Sequence, residues 1–334
     1  MSAGPRTTLL LSRSDVTEFL PMSACISAVE AAFAAQAAGL TIAAGVLGAH
    51  APGGGFHVKT AGVSTSRAYF AAKINANFPD NPRRLNLPTI QGALVLFDAT
   101  NGSPLAVMDS AEITRLRTAA ATAVAAKFLA RRDSTVMTIC GCGVQGRAHL
   151  EALLAVRPVR RVFAYDVDER AAVAFATEMS ASTRLDIHPI SSALRSATTQ
   201  SDIVVTCTAA RQAFLGVSDV RPGTFVAAVG ADSENKQELE PALLSLATVV
   251  VDALDQCATI GDLHHAIAAG VMTRQDVYAD LADVVSGKVV GRIDDAAIIV
   301  FDSTGTALED VAAAALVYER ALAADRGQFF DFTS

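Results

Sequence analysis

The chain has 334 residues, of which 51% are apolar and 18% charged, and its formal net charge is −7. This length accommodates two domains, and the apolar fraction is typical of a globular protein with a sizeable core. Because the balance is acidic and no long basic run occurs, we expect no nucleic acid and no anionic membrane surface as partner.

Targeting segments and metal sites are not expected either. No window reaches 18 uninterrupted apolar residues, and the N-terminus lacks a basic segment followed by an apolar one, so we predict neither a membrane span nor a signal peptide. The number of cysteines is odd and their spacing fits no zinc pattern (Cys25, Cys140, Cys142, Cys207 and Cys257). Their small number suits a cytoplasmic protein without metal, although a redox pair at Cys140 and Cys142 stays an alternative.

The first third of the chain predicts helices followed by a sheet. Residues 13–38 have helical spacing, with Ser23 as a helix N-cap. Residues 42–110 alternate short apolar runs with glycine and proline, which predicts antiparallel strands and a hairpin turn at Asn101-Gly102. Residues 111–131 predict a long helix rich in small side chains, able to lie close to another backbone.

The most informative stretch is a glycine turn between a strand and a helix. The apolar run 136–140 leads into Gly141-x-Gly143-x-x-Gly146, and a predicted helix follows at 146–156. In a dinucleotide site the first glycine makes the tight turn, the second admits the pyrophosphate and the third lets the helix pack closely. The alternative is a glycine-rich turn in an ordinary α/β domain.

The segments after this turn support the dinucleotide interpretation. A second predicted strand, 161–165, ends at Asp166, about 20 residues beyond the last glycine, where a carboxylate can bind the adenosine ribose. A predicted helix at 168–180 is followed by predicted strands at 203–207, 225–229, 248–251 and 298–301. This alternation predicts a doubly wound parallel sheet.

A closing helix is predicted at 307–322, and we expect it to return to the N-terminal domain. The fold class is therefore α/β, with a Rossmann NAD(P)-binding domain and a discontinuous α+β domain. We place the Rossmann domain at 118–304 and the α+β domain, for substrate binding, at 1–117 and 305–334.

Three charged residues are candidates for the chemistry. Lys73 lies inside an apolar strand, so it either faces outward or is a buried cation awaiting an anion. Arg117 suits bidentate carboxylate binding, with a surface ion pair as the alternative. Asp232 follows the strand 225–229, where Rossmann enzymes place catalytic groups, with a cap of the next turn as the alternative.

Histidines supply weaker candidates. His57 and Lys59 alternate along one predicted strand and therefore share a face, which is either functional or simply solvated. His264 and His265 have the pattern of an ordinary helix.

Together these segments resemble the ornithine cyclodeaminase/μ-crystallin family. The resemblance rests on residues 113–123, the turn 141–146, the loop 229–232 with 236–240, and the ending 301–305, and it covers nearly the whole chain. It implies the two-domain fold described above, with a homodimer built through the N-terminal domain.

The resemblance also implies site residues. Lys73 and Arg117 match residues that hold the substrate carboxylate, and Asp232 matches the acid/base beside the substrate nitrogen. His57, Lys59 and Thr304 complete the expected substrate site. The expected cofactor contacts are Thr89, Arg117, Gly141, Gly143, Val144, Gln145, Gly146, Asp166, Arg170, Thr206, Val229, Gly230 and Ser303.

One departure from the family pattern bears on the reaction. The cyclodeaminases share an arginine before the first strands that grips the substrate carboxylate, but residues 43–50 contain no arginine. His57 and Lys59 stand nearby instead, which resembles the reductase branch, and residues 73–79 and 108–114 look most like cyclic-imine reductases. We therefore expect NAD(P)H-dependent reduction of a 2-imino acid, such as Δ1-pyrroline-2-carboxylate to L-proline or the six-membered analogue to L-pipecolate. Ornithine cyclodeaminase and a non-enzymatic NADPH or small-ligand binder, as among μ-crystallins, are the alternatives.

The choice of cofactor rests on conflicting charges. Asp166 favours the ribose hydroxyls of NADH and would repel a 2′-phosphate. Arg147 and Arg170 lie close in sequence and would attract that phosphate. We predict use of NADH with NADPH tolerated.

Overall fold

A computed structural model describes residues 7–332, without the side chains of residues 43 and 44. These residues divide into two compact units. The first contains the residues up to Thr118 and those from Thr306 onward, and the second spans Ala119–Gly305. The α/β class predicted from the sequence is confirmed.

The elements of the N-terminal part, in chain order, are β1 (Thr8–Leu11), α1 (Arg13–Phe19), α2 (Met22–Ala37), β2 (Thr41–Ala51), β3 (Gly54–Ser64), β4 (Ala68–Asn77), α3 (Asn81–Leu85), β5 (Ile90–Asp98), β6 (Pro104–Asp109) and α4 (Ser110–Leu129). The boundary between the two units falls inside α4.

The elements that follow are β7 (Val136–Cys140), α5 (Val144–Leu154), β8 (Arg161–Tyr165), α6 (Glu169–Thr183), β9 (Asp186–Ile190), α7 (Leu194–Thr198), β10 (Ile203–Thr206), β11 (Arg211–Leu215), β12 (Phe225–Ala228), β13 (Gln237–Leu239), α8 (Pro241–Leu246), β14 (Thr248–Val251), α9 (Leu254–Ile260), α10 (Asp262–Ala268), β15 (Ala279–Asp280), α11 (Leu281–Val285), β16 (Ile299–Asp302), α12 (Ala307–Ala323) and β17 (Gln328–Phe330).

The predicted N-terminal helix is broken in two. Pro21 has no backbone N–H and adopts an extended conformation, so α1 ends at Phe19 and a new helix begins at Met22. The prediction that Ser23 is an N-cap was wrong, because Ser23 lies inside α2. Ser12 caps α1 instead, by accepting a hydrogen bond from the Asp15 backbone N–H in a capping box.

A mixed sheet forms the centre of the first unit. Among the described residues its strands run in the order β17-β1-β6-β5-β4-β3-β2, and β2 to β6 are antiparallel neighbours. The hairpin between β5 and β6 contains Gly102 at φ +77°, as the Asn101-Gly102 pair predicted. Helices α2 and α12 pack together, and α12 covers β3 and β4.

The opposite face of this sheet carries exposed apolar side chains in the part of the chain that the structure describes. Ile74 points away from α12 because Lys73, its neighbour in the strand, points toward α12. The strand register places Val58 and Leu47 beside Ile74 on this face, which we call the outer face. Phe56 lies two residues before Val58 in β3 and therefore shares that face. Leu47 is 64% exposed and Ile74 50% exposed.

A parallel sheet forms the centre of the second unit. Over the described chain its order is β15-β14-β16-β12-β10-β7-β8-β9, and every neighbouring pair is parallel. Chain order reverses between β7 and β10, so the carboxyl ends of these two strands, Cys140 and Thr206, flank a topological switch point. Ligands of doubly wound folds bind in the crevice beyond such a point.

The small side chains of α4 allow close packing in this unit. Each alanine from Ala119 to Ala126 is fully buried. Thr122 donates to or accepts from His149 of α5 at 3.1 Å, and burial lowers the pKa of His149 to about 4. Within residues 7–332 no single helix is both long and apolar enough to span a membrane, although the bent pair α1–α2 passes that test by length and composition alone.

Candidate cofactor and substrate site

The glycine turn after β7 has the close approaches that its glycines require. Gly141 has φ +103°, and a Cβ there would meet the Cys207 carbonyl oxygen at 2.7 Å. A Cβ on Gly146 would overlap the Gly141 carbonyl oxygen. Strand β7 therefore leads into α5 through a turn in which larger residues do not fit at these positions.

The N-terminus of α5 faces this turn. The helix begins at Val144, two residues before its predicted start, and its N-cap Gly143 offers no side chain to the first N–H groups. These unsatisfied N–H groups and the helix dipole suit a phosphate group. Val144 is 64% exposed, and the Gln145 Oε1 atom is buried without a hydrogen-bond partner among residues 7–332. A dinucleotide fits this donor set.

Asp166 stands at the end of β8 beside the same turn. Its carboxylate accepts hydrogen bonds from the Cys142 backbone N–H at 2.8 Å and the Asp168 backbone N–H at 3.0 Å. A cleft of about 750 Å³ is lined by Gly141, Gly143, Asp166 and the segment from Cys207 to Gln212, among others. The structure thus brings these predicted cofactor residues of the second unit to one cleft.

The two arginines considered for binding a 2′-phosphate differ in their surroundings. Arg147 pairs with Glu178 at 2.7 Å and also donates to the Cys142 and Gly143 carbonyls. Its ring-stacking partner is Phe175, at 5.5 Å from the centroid. The Arg147 guanidinium is therefore occupied by the turn itself, whereas the Arg170 side chain is exposed.

A buried glutamate, which the sequence did not single out, connects the turns after β10 and β12. Glu238 accepts hydrogen bonds from Thr206 Oγ1 at 2.6 Å and from the Gly230 backbone N–H at 2.8 Å. Its other oxygen accepts from the backbone N–H and the hydroxyl of Thr208, at 2.6 and 2.7 Å. The expected cofactor residues Thr206 and Gly230 are thus joined, and Val229 donates to the Thr206 carbonyl at 2.9 Å.

A second buried carboxylate organises the turn after β16. Asp252 accepts from Ser303 Oγ at 3.0 Å, from Thr304 Oγ1 at 3.2 Å and from the Gly305 backbone N–H at 2.6 Å. Asp252 directly follows the buried strand β14, so the rule that selected Asp232, a carboxylate at a strand end, would have found it too. Glu238 lies within the quoted segment 236–240 but offers no comparable pattern.

Lys73 and Arg117 come together in the first unit, where both are buried. The Lys73 Nζ atom lies 2.7 Å from one oxygen of Asp310, and Arg117 Nε lies 3.0 Å from the other oxygen. Arg117 also contacts Glu309 at 2.8 Å. The alternatives of an outward-facing lysine and a surface arginine are therefore wrong: the two cations share a buried cluster with two carboxylates of α12.

The protonation of this cluster follows from its burial. Burial lowers the pKa of Lys73 to about 7, although Asp310 acts to raise it. Burial acts to raise the pKa of Asp310, but Lys73 and Arg117 outweigh it and hold that pKa below its usual value. Lys73 also donates to Thr114 Oγ1 at 3.2 Å. An ammonium with so low a pKa gains from a further anion.

The remaining candidates of the first unit occupy the same sheet. Lys59 is paired directly with Lys73 across β3 and β4, and His57 is paired with Asn75 on the same face. His57 is exposed and Lys59 half-buried. Thr89 precedes β5, and its carbonyl accepts from the Phe78 backbone N–H at 2.9 Å.

Asp232 follows β12 in the second unit. Its carboxylate is 55% exposed and pairs with Lys236 at 2.6 Å, and the Lys236 carbonyl meets His265 Nε2 at 2.8 Å. Its backbone N–H donates to Gly230. Asp232 and Gly230 are therefore neighbours, and a joint role with Lys73 and Arg117 stays a prediction.

The cysteines are free thiols. Burial raises the pKa of Cys25 and of Cys142 to about 12, and it raises the pKa of Cys140, Cys207 and Cys257 well above the usual value of a thiol. Cys207 donates through sulfur to the Cys140 and Gly141 carbonyls, so it packs against the glycine turn. Over the described residues no group of three His, Cys, Asp or Glu side chains is arranged to hold a metal ion.

Comparisons with known proteins agree on one family. The family model for ornithine cyclodeaminase/mu-crystallin proteins matches residues 6–325. The alanine dehydrogenase of Archaeoglobus fulgidus is 36% identical over 326 residues, covering 97% of this chain and 98% of that protein.

Two solved structures are similar over almost the whole chain. An archaeal alanine dehydrogenase dimer with bound NAD has a TM-score of 0.93 at 36% identity and covers 98% of this chain and 99% of its own. The Δ1-pyrroline-2-carboxylate reductase of Thermococcus litoralis, in complex with NADH and L-proline, has a TM-score of 0.91 at 33% identity, with 96% and 99% covered.

Proposed function

The chain belongs to the ornithine cyclodeaminase/mu-crystallin family, and from that premise we propose that it is an NADH-dependent reductase of a 2-imino acid. The similar structures named above are a dehydrogenase with NAD and a reductase with NADH and L-proline, which supports an oxidoreductase. Both names describe chemistry at a carbon that bears a nitrogen and a carboxylate.

The cofactor is assigned to the cleft of the second unit. When bound, NADH supplies the hydride that the imine carbon accepts. The α5 N-terminus binds the pyrophosphate, and the Asp166 carboxylate binds the adenosine ribose hydroxyls. Because Arg147 is occupied by Glu178 and the turn carbonyls, Arg170 alone remains of the two arginines considered for a 2′-phosphate, which favours NADH.

The observation that carries the proposal is the buried pair of cations in the first unit. Lys73 and Arg117 are held by Asp310 in a fixed arrangement, with Lys59 beside Lys73 on the same sheet face. Cations of this kind bind a carboxylate, and fixed groups orient the substrate for attack on one face. We assign the carboxylate of the imino acid to Lys73 and Arg117, with His57 and Lys59 on the same sheet face as Lys73.

Asp232 is assigned to the nitrogen end of the same substrate. A protonated imine accepts a hydride more readily than a neutral one, so a carboxylate that holds a proton at the nitrogen lowers the barrier. This acid/base role distinguishes an enzyme from a pure ligand binder, which has no use for it.

Two classes of imine, cyclic and acyclic, are candidates for the substrate. A cyclic imine, Δ1-pyrroline-2-carboxylate or its six-membered analogue, is favoured by the sequence around Lys73 and by the similarity to the Thermococcus reductase. An acyclic imine, formed from a 2-oxo acid and ammonia, is favoured by the 36% identity to alanine dehydrogenase. The absence of an arginine from β2 argues against ornithine cyclodeamination.

A homodimer is proposed through the apolar outer face of the first unit. Leu47, Phe56 and Ile74 are exposed there, and an exposed apolar patch of this kind marks a protein interface. The archaeal neighbour is a dimer. Leu47→Lys is expected to yield monomers in analytical ultracentrifugation.

The test measures the absorbance of NADH during incubation of the protein with each substrate of a panel. The panel contains Δ1-pyrroline-2-carboxylate, Δ1-piperideine-2-carboxylate, and pyruvate with ammonia, and L-ornithine with NAD⁺ serves as the control. We expect NADH oxidation with at least one imino acid and no ammonia from ornithine. Release of ammonia and proline from ornithine would establish the cyclodeaminase instead, and binding of NADH without any turnover would favour a binding protein.

A further inference from the structure

Glu238 joins the turns after two neighbouring strands, β10 and β12, through its hydrogen bonds. Its carboxylate accepts four of them, from Thr206, Thr208 and Gly230. Two of the donors are backbone N–H groups, which cannot rotate away. The side chain is fully buried, so it cannot exchange these partners for water.

We propose that Glu238 is a positioning residue for the nicotinamide half of the dinucleotide, acting through the two turns that it joins. The inference rests on the proposed use of NADH and adds to it a residue that the family resemblance did not assign. In this positioning role Glu238 neither donates nor accepts a proton during the reaction.

The place of the nicotinamide half follows from the topology. A dinucleotide lies across the switch point of a doubly wound sheet, with one mononucleotide half on each side. Asp166, after β8, marks the adenosine side, so the nicotinamide half lies over the ends of β10 and β12. Those ends carry Thr206 and Gly230, the residues that Glu238 connects.

The backbone of Glu238 is held in place by a second carboxylate. The Asp262 carboxylate accepts hydrogen bonds from the backbone N–H groups of Glu238 and Leu239, both at 2.9 Å. Burial raises the pKa of Glu238, while the donors from Thr206, Thr208 and Gly230 oppose that rise. Only a carboxylate, which has no proton to donate, accepts all four bonds at once.

The Glu238→Gln variant separates this positioning role from simple burial. An amide has the same shape but turns one acceptor into a donor, so its NH₂ group must face the backbone N–H of either Thr208 or Gly230. A donor facing a donor is unsatisfied, and one of the two turns has to move. Glu240→Gln is the matched control, since Glu240 is exposed and lies two residues further along the chain.

The experiment measures binding of two ligands by isothermal titration calorimetry. NADH reports on both halves of the cleft, whereas ADP reports on the adenosine and pyrophosphate half alone. We expect Glu238→Gln to weaken NADH binding on the order of tenfold or more, to change ADP binding by less than about twofold, and to raise KM for NADH more than it lowers kcat. Glu240→Gln should resemble the wild type.

Three outcomes decide the matter. Unchanged NADH binding in Glu238→Gln, or equal weakening of NADH and ADP, would overturn the positioning role while leaving the proposed function intact. A wild type that binds no NADH would overturn both. If Glu238→Gln does not fold by circular dichroism, Thr208→Val should still weaken NADH binding selectively, and its failure to do so counts against the proposal. This variant removes the hydroxyl that donates to Glu238 and accepts from the Ala210 backbone N–H, and it keeps both backbone hydrogen bonds to Glu238.

Discussion

The buried cluster around Asp310 gives the sharpest test of the energetics. Asp310→Asn removes the carboxylate that contacts both Lys73 at 2.7 Å and Arg117 at 3.0 Å, while all three side chains are at most 5% exposed. Breaking a buried ion pair by removing one partner costs about 3–5 kcal/mol. We expect a loss of this size in the free energy of unfolding at about pH 6, where Lys73 is charged.

The loss should shrink as the pH rises, and the sign follows from the pKa of Lys73. That pKa is about 7 in the folded chain and 10.5 in the usual case, so between these values the unfolded chain binds the extra proton and stability rises with pH. In the Asp310→Asn variant the pKa of Lys73 falls further, because Asp310 acts to raise it in the wild type. At about pH 8.5 Lys73 is then neutral in both proteins. The deficit is therefore smaller than at pH 6, by at most about 1.4 kcal/mol, because pH 6 lies only one unit below the Lys73 pKa of about 7.

Urea denaturation followed by circular dichroism at the two pH values measures both quantities. Asp80→Asn is the control, because the Asp80–Arg83 pair belongs to the same unit but is 59% and 80% exposed and should contribute below about 1 kcal/mol. A deficit under about 1 kcal/mol for Asp310→Asn at pH 6, or an equal deficit at both pH values, would refute the reasoning.

Three further predictions concern the cleft and the reaction. Asp232→Asn should lower kcat at least about a hundredfold with little change in NADH affinity, and equal losses in a kinetic and calorimetric comparison would make Asp232 a structural residue. Asp166→Ala should weaken NADH more than NADPH in kcat/KM; a strong native preference for NADPH that this substitution leaves unchanged would contradict the role of Asp166. Gly146→Ala should lower the melting temperature without any ligand, because its Cβ would overlap the Gly141 carbonyl, whereas Gly143→Ala, with open space around its Cβ, should fold normally and lose NADH affinity. The reverse order of effects would exclude the assigned roles of the two glycines.

The parts of the fold that the sequence predicts are those with local patterns. The strand, glycine turn and helix from Val136 to Leu154 are evident because turn chemistry and hydrophobic periodicity act over neighbouring residues. Strand β9 escaped prediction, since His188 and Pro189 interrupt its apolar pattern and pairing with β8 determines it. The break at Pro21 was visible in the sequence, but the helical spacing on both sides outweighed it in the interpretation.

The site residues also separate into those that local sequence patterns predicted and those that depend on distant contacts. Residue types that bind carboxylates predicted Lys73 and Arg117, and the spacing after the glycine turn predicted Asp166. Burial of Lys73 against Asp310 depends, however, on a helix more than 230 positions away. Glu238 and Asp252 were not predicted as site residues, because a buried carboxylate resembles a surface one until its donors are known. Their partners come from separate turns, which only the parallel sheet brings together.

The rates at which the cysteines are alkylated report on the opening of each unit separately. A buried thiol whose pKa is raised to about 12 is almost never a thiolate at neutral pH, so an alkylating reagent modifies Cys25 and Cys142 only during transient opening. Cys25 belongs to the first unit and the other four cysteines to the second. Mass spectrometry of timed alkylation therefore separates opening of one unit from opening of the other without any introduced label, and slower modification of Cys142 and Cys207 with added NADH would place that ligand at the glycine turn.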